Sequence, residues 1–283
     1  MRSPARTPLG RLLRRLDLDA REENVFVGDP GRGEERRFGG LVAAQAVMAA
    51  SRTVDEESLH SLHAYFLRPG RHAQPIRYAV QRLRDGRSFK TRAVVAEQAG
   101  ETIFQLAASF TRGEPGISHQ DPMPEAPPPE GLEDWEDLRA RILGDPRARR
   151  PGAVEVRVVD PDSAVPGEAL PPWKRVWVRP AGALPDDPRV HAALVVFASD
   201  RTLLSTASRP HGLPWGRRRA ASLDHAVWLH RLPRFDDWHL YVSRSPAAHA
   251  ARGLVLGALY ARDGTRVATV AQEGLIRIGR SEG

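Results

Sequence analysis

Phe38-Gly39-Gly40-Leu41-Val42-Ala43-Ala44-Gln45-Ala46-Val47-Met48-Ala49-Ala50-Ser51 decides the fold. Two glycines open it and small residues fill it, so it reads as a slim helix that neighbouring backbone can approach closely. Four strand-like segments follow, Leu59–Leu67, Ile76–Leu83, Ser88–Gln98 and Thr102–Thr111. The breaks between them, Arg68-Pro69-Gly70, Asp85-Gly86 and Ala99-Gly100-Glu101, are short hairpin signals. One helix followed by a meander of long antiparallel strands predicts an α+β unit, a sheet wrapped around a helix. Ahead of it, Glu22–Asp29 alternates weakly as a strand, and Leu9, Leu12, Leu13 and Leu16 recur at helical spacing.

The same pattern returns later in the chain. A strand at Arg175–Arg179 leads to Asp186-Asp187-Pro188, where an acidic cap, read as Asp186, and an early proline start a second helix running to about Ser199. Strands follow near Ser222–Leu232, Trp238–Ser245, Gly253–Ala261 and Arg266–Ile278. Ala49-Ala50-Ser51-Arg52-Thr53 matches Ala198-Ser199-Asp200-Arg201-Thr202 at an offset of 149, and His63-Ala64-Tyr65-Phe66-Leu67 matches His225-Ala226-Val227-Trp228-Leu229 at 162. The order of these matches predicts an internal duplication, with an insertion within Leu203–Ala221 of the second copy. Between the copies, Gly113–Pro172 is rich in Pro, Asp, Glu and Arg and reads as a surface connector. A short helix near Leu132–Leu143 and a short strand near Val154–Val159 are expected within it. The predicted division is therefore 1–112, a connector at 113–172, and 173–283.

Composition narrows the chemistry. The 283 residues include no cysteine, which excludes disulfides, thiolate metal sites and cysteine nucleophiles. The longest apolar run, Ala192–Ala198, falls far below the roughly 18 residues of a membrane span, so no membrane partner is expected. The net charge is +7, yet only Lys90 and Lys174 are lysine. Abundant Arg, Ala, Gly and Pro beside scarce Lys point to compositional bias, and no basic, aromatic-interleaved stretch supports a nucleic-acid partner. Met1–Asp19 is basic but has no apolar core and no cleavage site, so a cytoplasmic location is expected. No Gly-x-Ser-x-Gly elbow, P-loop or dinucleotide fingerprint occurs, and the ten histidines lack metal-ligand spacing. Neither a metal nor a cofactor is expected, and His191, His225 and His230 read as structural.

Comparing the two copies singles out positions that gain polarity. Asp200 stands where the first copy has Ser51, and Gln272 where it has Ala108, between the apolar Val267–Ala271 and Leu275-Ile276. An amide in such surroundings finds partners or costs about 1–3 kcal/mol. On residue types alone, Gln272 fits a backbone crosslink as well as catalysis, and Asp200 fits a helix-terminal carboxylate beside Arg201.

A resemblance resolves these alternatives. Phe38–Ala46, His60-Ser61-Leu62-His63-Ala64-Tyr65-Phe66-Leu67-Arg68-Pro69-Gly70, Arg84-Asp85-Gly86-Arg87-Ser88-Phe89 and Met123–Leu132 resemble motifs of the acyl-CoA thioesterase II family, the TesB-like double-hotdog enzymes. Phe197-Ala198-Ser199-Asp200, Pro210-His211-Gly212, Leu223–Arg231 and Gln272-Glu273-Gly274 follow in the family's order. The resemblance implies an α+β double hotdog, two tandem helix-wrapped antiparallel sheets in one chain. It implies hydrolysis of acyl-CoA to free fatty acid and CoA, with Asp200 as the catalytic carboxylate activating water and with Ser222 and Gln272 holding that water. Backbone N–H groups at Gly39 and Gly40 are the expected oxyanion and substrate-binding donors, and arginines the expected phosphate partners of CoA. Leu41 departs from the family, where a polar residue is common. A homo-oligomer, dimer or larger, is expected. Two alternatives remain: a hotdog (R)-specific enoyl-CoA hydratase, suggested by the Asp186–His191 spacing, and a non-catalytic acyl-CoA-binding module.

Overall fold

Thr7 opens the first helix, its hydroxyl accepting the Gly10 N–H at 3.0 Å, and the leucine stripe of α1 (Pro8–Leu16) buries Leu9, Leu12 and Leu16. The computed structural model describes residues 7–29, 38–71, 74–163, 165, 167–213 and 218–278; residues 1–6 of the basic N-terminal segment and part of the predicted insertion lie outside them. A hairpin follows, β1 (Asp19–Glu22) and β2 (Val25–Gly28). It replaces the single strand expected over Glu22–Asp29, because Asn24 takes a positive φ of 59°, which asparagine tolerates, and turns the chain back.

The rest of the first copy is α2 (Gly39–Ser51), β3 (Ser58–Phe66), β4 (Ile76–Asp85), β5 (Phe89–Gln98) and β6 (Glu101–Thr111). In the connector, Asp134 caps α3 (Trp135–Leu143), and β7 (Val154–Val158) pairs with the next strand, β8 (Trp173–Pro180). The Pro-rich strap ahead of α3 is pinned to the sheet where the Trp177 indole N–H donates to Pro127 O at 2.8 Å. The second copy continues with α4 (Pro188–Thr202), a 3₁₀ turn at Leu204–His211, β9 (Arg218–Ser222), β10 (Asp224–Leu229), β11 (His239–His249), β12 (Arg252–Ala261) and β13 (Arg266–Ile278).

All described strands form one antiparallel sheet in the order β1-β2-β4-β5-β6-β3-β10-β13-β12-β11-β8-β7, with β9 lying beside β13. The halves fuse at β3 and β10, whose ladder runs from Tyr65↔Asp224 to Ser61↔Trp228. The sheet curls around α2 and α4, which are buried on nearly all faces and pack on each other. Small residues make this close approach possible. A Cβ on Gly40 would lie 2.8 Å from the backbone O of Phe197 on α4.

Three sequence expectations need correction. The cap of α4 is Asp187, whose carboxylate accepts the Arg189 N–H at 2.9 Å, while Asp186 pairs with Arg234 outside the helix. The helix runs three residues past Ser199, so Asp200 lies inside its last turn. The match of His63 to His225 is one residue out of register. His63 is exposed and His225 fully buried, so they face opposite sides of the sheet. Ala64 pairs with Leu106 as Val227 pairs with Val270, which sets Leu62, not His63, against His225.

Candidate active site

Four elements converge on one carboxylate. Asp200, 8% exposed, receives the Ser222 hydroxyl at 3.0 Å and Gln272 Nε2 at 2.6 Å on Oδ1, and the Gly40 backbone N–H at 2.7 Å on Oδ2. The last turn of α4 is unfavourable for an anion, since the helix carboxyl end carries partial negative charge. The N-terminus of α2 offsets this, aiming an unpaired first-turn amide at the carboxylate. Three donors leave Asp200 with unused lone pairs, so it can accept a further hydrogen bond.

Local sequence explains how the partners arrive. The strand predicted as continuous from Ser222 breaks at Leu223, where the Leu223 N–H donates to Glu273 O (3.0 Å) and its carbonyl accepts the Phe66 N–H (2.9 Å). The break ends β9 at Ser222 and turns its hydroxyl to Asp200. Asp224, just beyond, locks the same corner by accepting the Glu273 N–H at 2.6 Å; burial pushes its pKa up. Gln272 has no exposed surface, and its Nε2 also lies 3.2 Å from His225 Nδ1. Both amide hydrogens are thus engaged, while Oε1 has no partner among the described residues.

A cavity of about 360 Å³ opens beside this cluster, with Gly39, Asp200 and Ser222 in its wall, Phe38, Phe66 and Phe104 as apolar surface, and Arg68 at its polar side. Such a volume and mixed lining suit a small-molecule site. The structure therefore brings together Asp200, Ser222, Gln272 and the two glycines. It changes one expectation: the Gly40 N–H is given to Asp200, leaving the Gly39 N–H, which has no acceptor among the described residues, to meet a ligand. A Cβ at Gly39 would come within 2.8 Å of the Phe66 ring and 3.2 Å of Asp200 Oδ2, so glycine is required for this approach.

Among the described residues, the related junction, between the C-terminus of α2 and the N-terminus of α4, carries no such cluster. Ser51, Leu62 and Ala108 stand at the positions of Asp200, His225 and Gln272. Opposite Ala108, Arg92 is fully buried and tied to Thr53 Oγ1 (2.8 Å) and Thr53 O (2.9 Å). Pro188 has no N–H, and Asp187 covers the next amide. Nor do Asp186 and His191 form an acid–base pair: Asp186 is exposed, whereas buried His191 accepts the Phe235 N–H on Nδ1 at 3.0 Å.

Sequence reasoning missed His225, which touches Gln272 and Ser199. The signal was present, since correct strand parity sets a histidine against an apolar leucine in the first copy.

Comparison with known proteins identifies the family. Residues 148–275 match the family described as acyl-CoA thioesterase, and residues 30–111 match the acyl-CoA thioesterase N-terminal domain. The chain is 40% identical over 280 residues to mouse acyl-coenzyme A thioesterase 8, covering 93% of this chain and 88% of that one. Acyl-CoA thioesterase 2 of Haemophilus influenzae is 36% identical, with 95% and 98% covered. The crystal structure of an acyl-CoA thioesterase II from Mycobacterium marinum superposes with a TM-score of 0.80 at 40% identity, covering 96% of this chain and all of that one. The solved structures thus share the double-hotdog arrangement.

Proposed function

Because this chain belongs to the acyl-CoA thioesterase family and hydrolyses acyl-CoA thioesters, we propose that Asp200, Ser222 and Gln272 carry out that hydrolysis with water as the nucleophile. The observation behind this is the convergence of three donors from three elements on Asp200 in the wall of a cavity. Water donates one hydrogen to Asp200 and the other to Ser222 Oγ, whose own hydrogen is given to Asp200, while Gln272 steadies the pair through its 2.6 Å bond to the same carboxylate. The water oxygen attacks the thioester carbonyl carbon, and the proton passes to Asp200. The resulting oxyanion is met by the Gly39 N–H at the positive end of α2. Collapse of the tetrahedral intermediate breaks the C–S bond, and the proton on Asp200 passes to the CoA sulfur. Proton acceptance contributes about 10²–10⁴-fold, and orientation of the water adds to it. The apolar wall suits the acyl chain, and Arg68, half exposed at the same cavity, suits a CoA phosphate.

We further propose that 1–112 and 173–283 act as two hotdog units joined by 113–172, with the working residues supplied mainly by the second. The chain works as a homo-oligomer in the cytoplasm without a nucleic-acid partner. In support of association, β1 ends the sheet on one side as an edge strand. Arginines such as Arg141, Arg175 and Arg179 are neutralised by Glu133, Asp160 and Glu155. No helix among the described residues is long and apolar enough to cross a membrane.

The test is thiol release from acyl-CoA esters of short, medium and long chains, followed with a thiol-trapping dye. Asp200→Asn is expected to lower kcat at least about 100-fold with KM little changed. Near-normal turnover would remove Asp200 from the mechanism.

A further inference from the structure

The amide of Gln272 is held from two sides, and only one of them is a residue of the proposed reaction. On the other, His225 of β10 has no exposed surface; its Nε2 lies 2.9 Å from Ser199 Oγ and its Nδ1 3.2 Å from Gln272 Nε2. The tautomer follows from the partners. Ser199 donates its hydroxyl hydrogen to Val196 O at 3.0 Å, so toward His225 its oxygen accepts. Nε2 therefore carries the hydrogen, and Nδ1 is a bare acceptor for the Gln272 N–H. Tyr241 braces this turn of α4 by donating its hydroxyl to Ser199 O at 3.0 Å. In the first copy the matched position is Leu62, itself fully buried, so packing alone at this point is met by an apolar side chain.

We infer that His225 is a positioning residue which, as a neutral imidazole, fixes the orientation of the Gln272 amide throughout the turnover of Asp200. This rests on the proposed roles of Asp200 and Gln272. While Asp200 is a carboxylate, it alone directs the N–H end of Gln272 toward itself. Once Asp200 has taken the proton of water it can donate as well as accept, and it no longer distinguishes the two ends of the amide. Nδ1 of His225 can only accept, so the N–H end stays in place against Asp200. Protonation of His225 would put N–H against N–H and favour the reversed amide. Burial opposes that protonation and lowers the pKa of His225; the carboxylates of Asp200 and Asp224 favour it, while Ser199, Tyr241 and Gln272 face the ring uncharged.

Steady-state thiol release separates a positioning role from a structural one. His225→Leu copies the residue of the first copy. It is expected to lower kcat about 3–10-fold, the loss of one neutral hydrogen bond, with KM within about twofold. His225→Asn, whose Oδ1 can stand for Nδ1, is expected to recover part of that loss. In a Gln272→Ala background, His225→Leu is expected to change kcat no further, since residues acting through one another are not additive. Unchanged kcat in His225→Leu, or losses that multiply fully with those of Gln272→Ala, would overturn the inference. Should His225→Leu fail to fold, His225→Asn combined with Gln272→Ala carries the same comparison. Full activity in Asp200→Asn and Gln272→Ala themselves would overturn the catalytic reading beneath it, a result distinct from a silent His225→Leu.

Discussion

Replacing Gly40 with alanine opposes two effects of known sign. In an exposed helix the change would stabilise by up to about 1 kcal/mol. Here the new Cβ would sit 2.6 Å from Phe38 Cε1 and 2.8 Å from the backbone O of Phe197. The Phe38 ring, packed edge-on against Phe197 at 5.1 Å, can turn aside, but the carbonyl belongs to α4 and cannot. Ordinary contact at 3.4 Å requires α2 and α4 to part by roughly 0.6 Å. Overpacking of this kind costs about 1–3 kcal/mol, so against that gain the net effect is a loss of up to about 2 kcal/mol. The same shift stretches the 2.7 Å contact from the Gly40 N–H to Asp200 toward about 3.3 Å, beyond the roughly 2.9 Å of a good charge-assisted bond. Losing about 1.5–3 kcal/mol of support at that carboxylate predicts a fall in kcat of about 10–100-fold. Urea unfolding and thiol release would be measured on the same preparation. A variant more stable than the parent with kcat within twofold would mean that the helices do not touch at Gly40, and the reasoning would fail.

Gln272→Glu would set a second carboxylate about 2.6 Å from Asp200. Two like charges that close force one to keep a proton, so kcat/KM at pH 7 should drop at least about 100-fold and its pH profile move upward; an unchanged profile would show that the two groups do not interact. Glu57, buried against Lys90 Nζ (3.0 Å) and Arg112 Nε (3.0 Å), has its pKa lowered from 4.5 to about 2, chiefly by the Lys90 hydrogen bond. Its folded value is the lower one, so its contribution to stability is complete above pH 4.5 and fades as pH falls toward 2. Urea midpoints of the parent should therefore fall more steeply below pH 4.5 than those of Glu57→Gln, and parallel curves would refute the assignment.

What could be read in the sequence follows from local physics. The glycine-opened small-residue stretch, the Asp-Gly hairpins and the alternating segments each act over a few residues, and the sheet wrapped round a helix follows from them. Gln272 was legible for a related reason, as an amide in apolar surroundings, and Asp200 as a polar gain over Ser51. The hairpin at Asn24 and the break at Leu223 were not, since one rests on a single positive φ and the other on bonds from Leu223 to Phe66 and Glu273. The one-residue slip between His63 and His225 hid a member of the site, because a match of letters carries no information about which face of the strand is buried.

By itself, then, the sequence determined the two copies, their helices and strands, and the residues in which the second copy gains polarity. The tertiary structure decided the rest: that β3 and β10 join the halves into one sheet, that the two glycine amides have different partners, and that His225 stands behind Gln272. Periodicity and turn chemistry act between near neighbours. The site, by contrast, is assembled from residues as far apart as Gly40 and Gln272, and hydrogen bonds across such separations exist only after the sheet has closed around its helices.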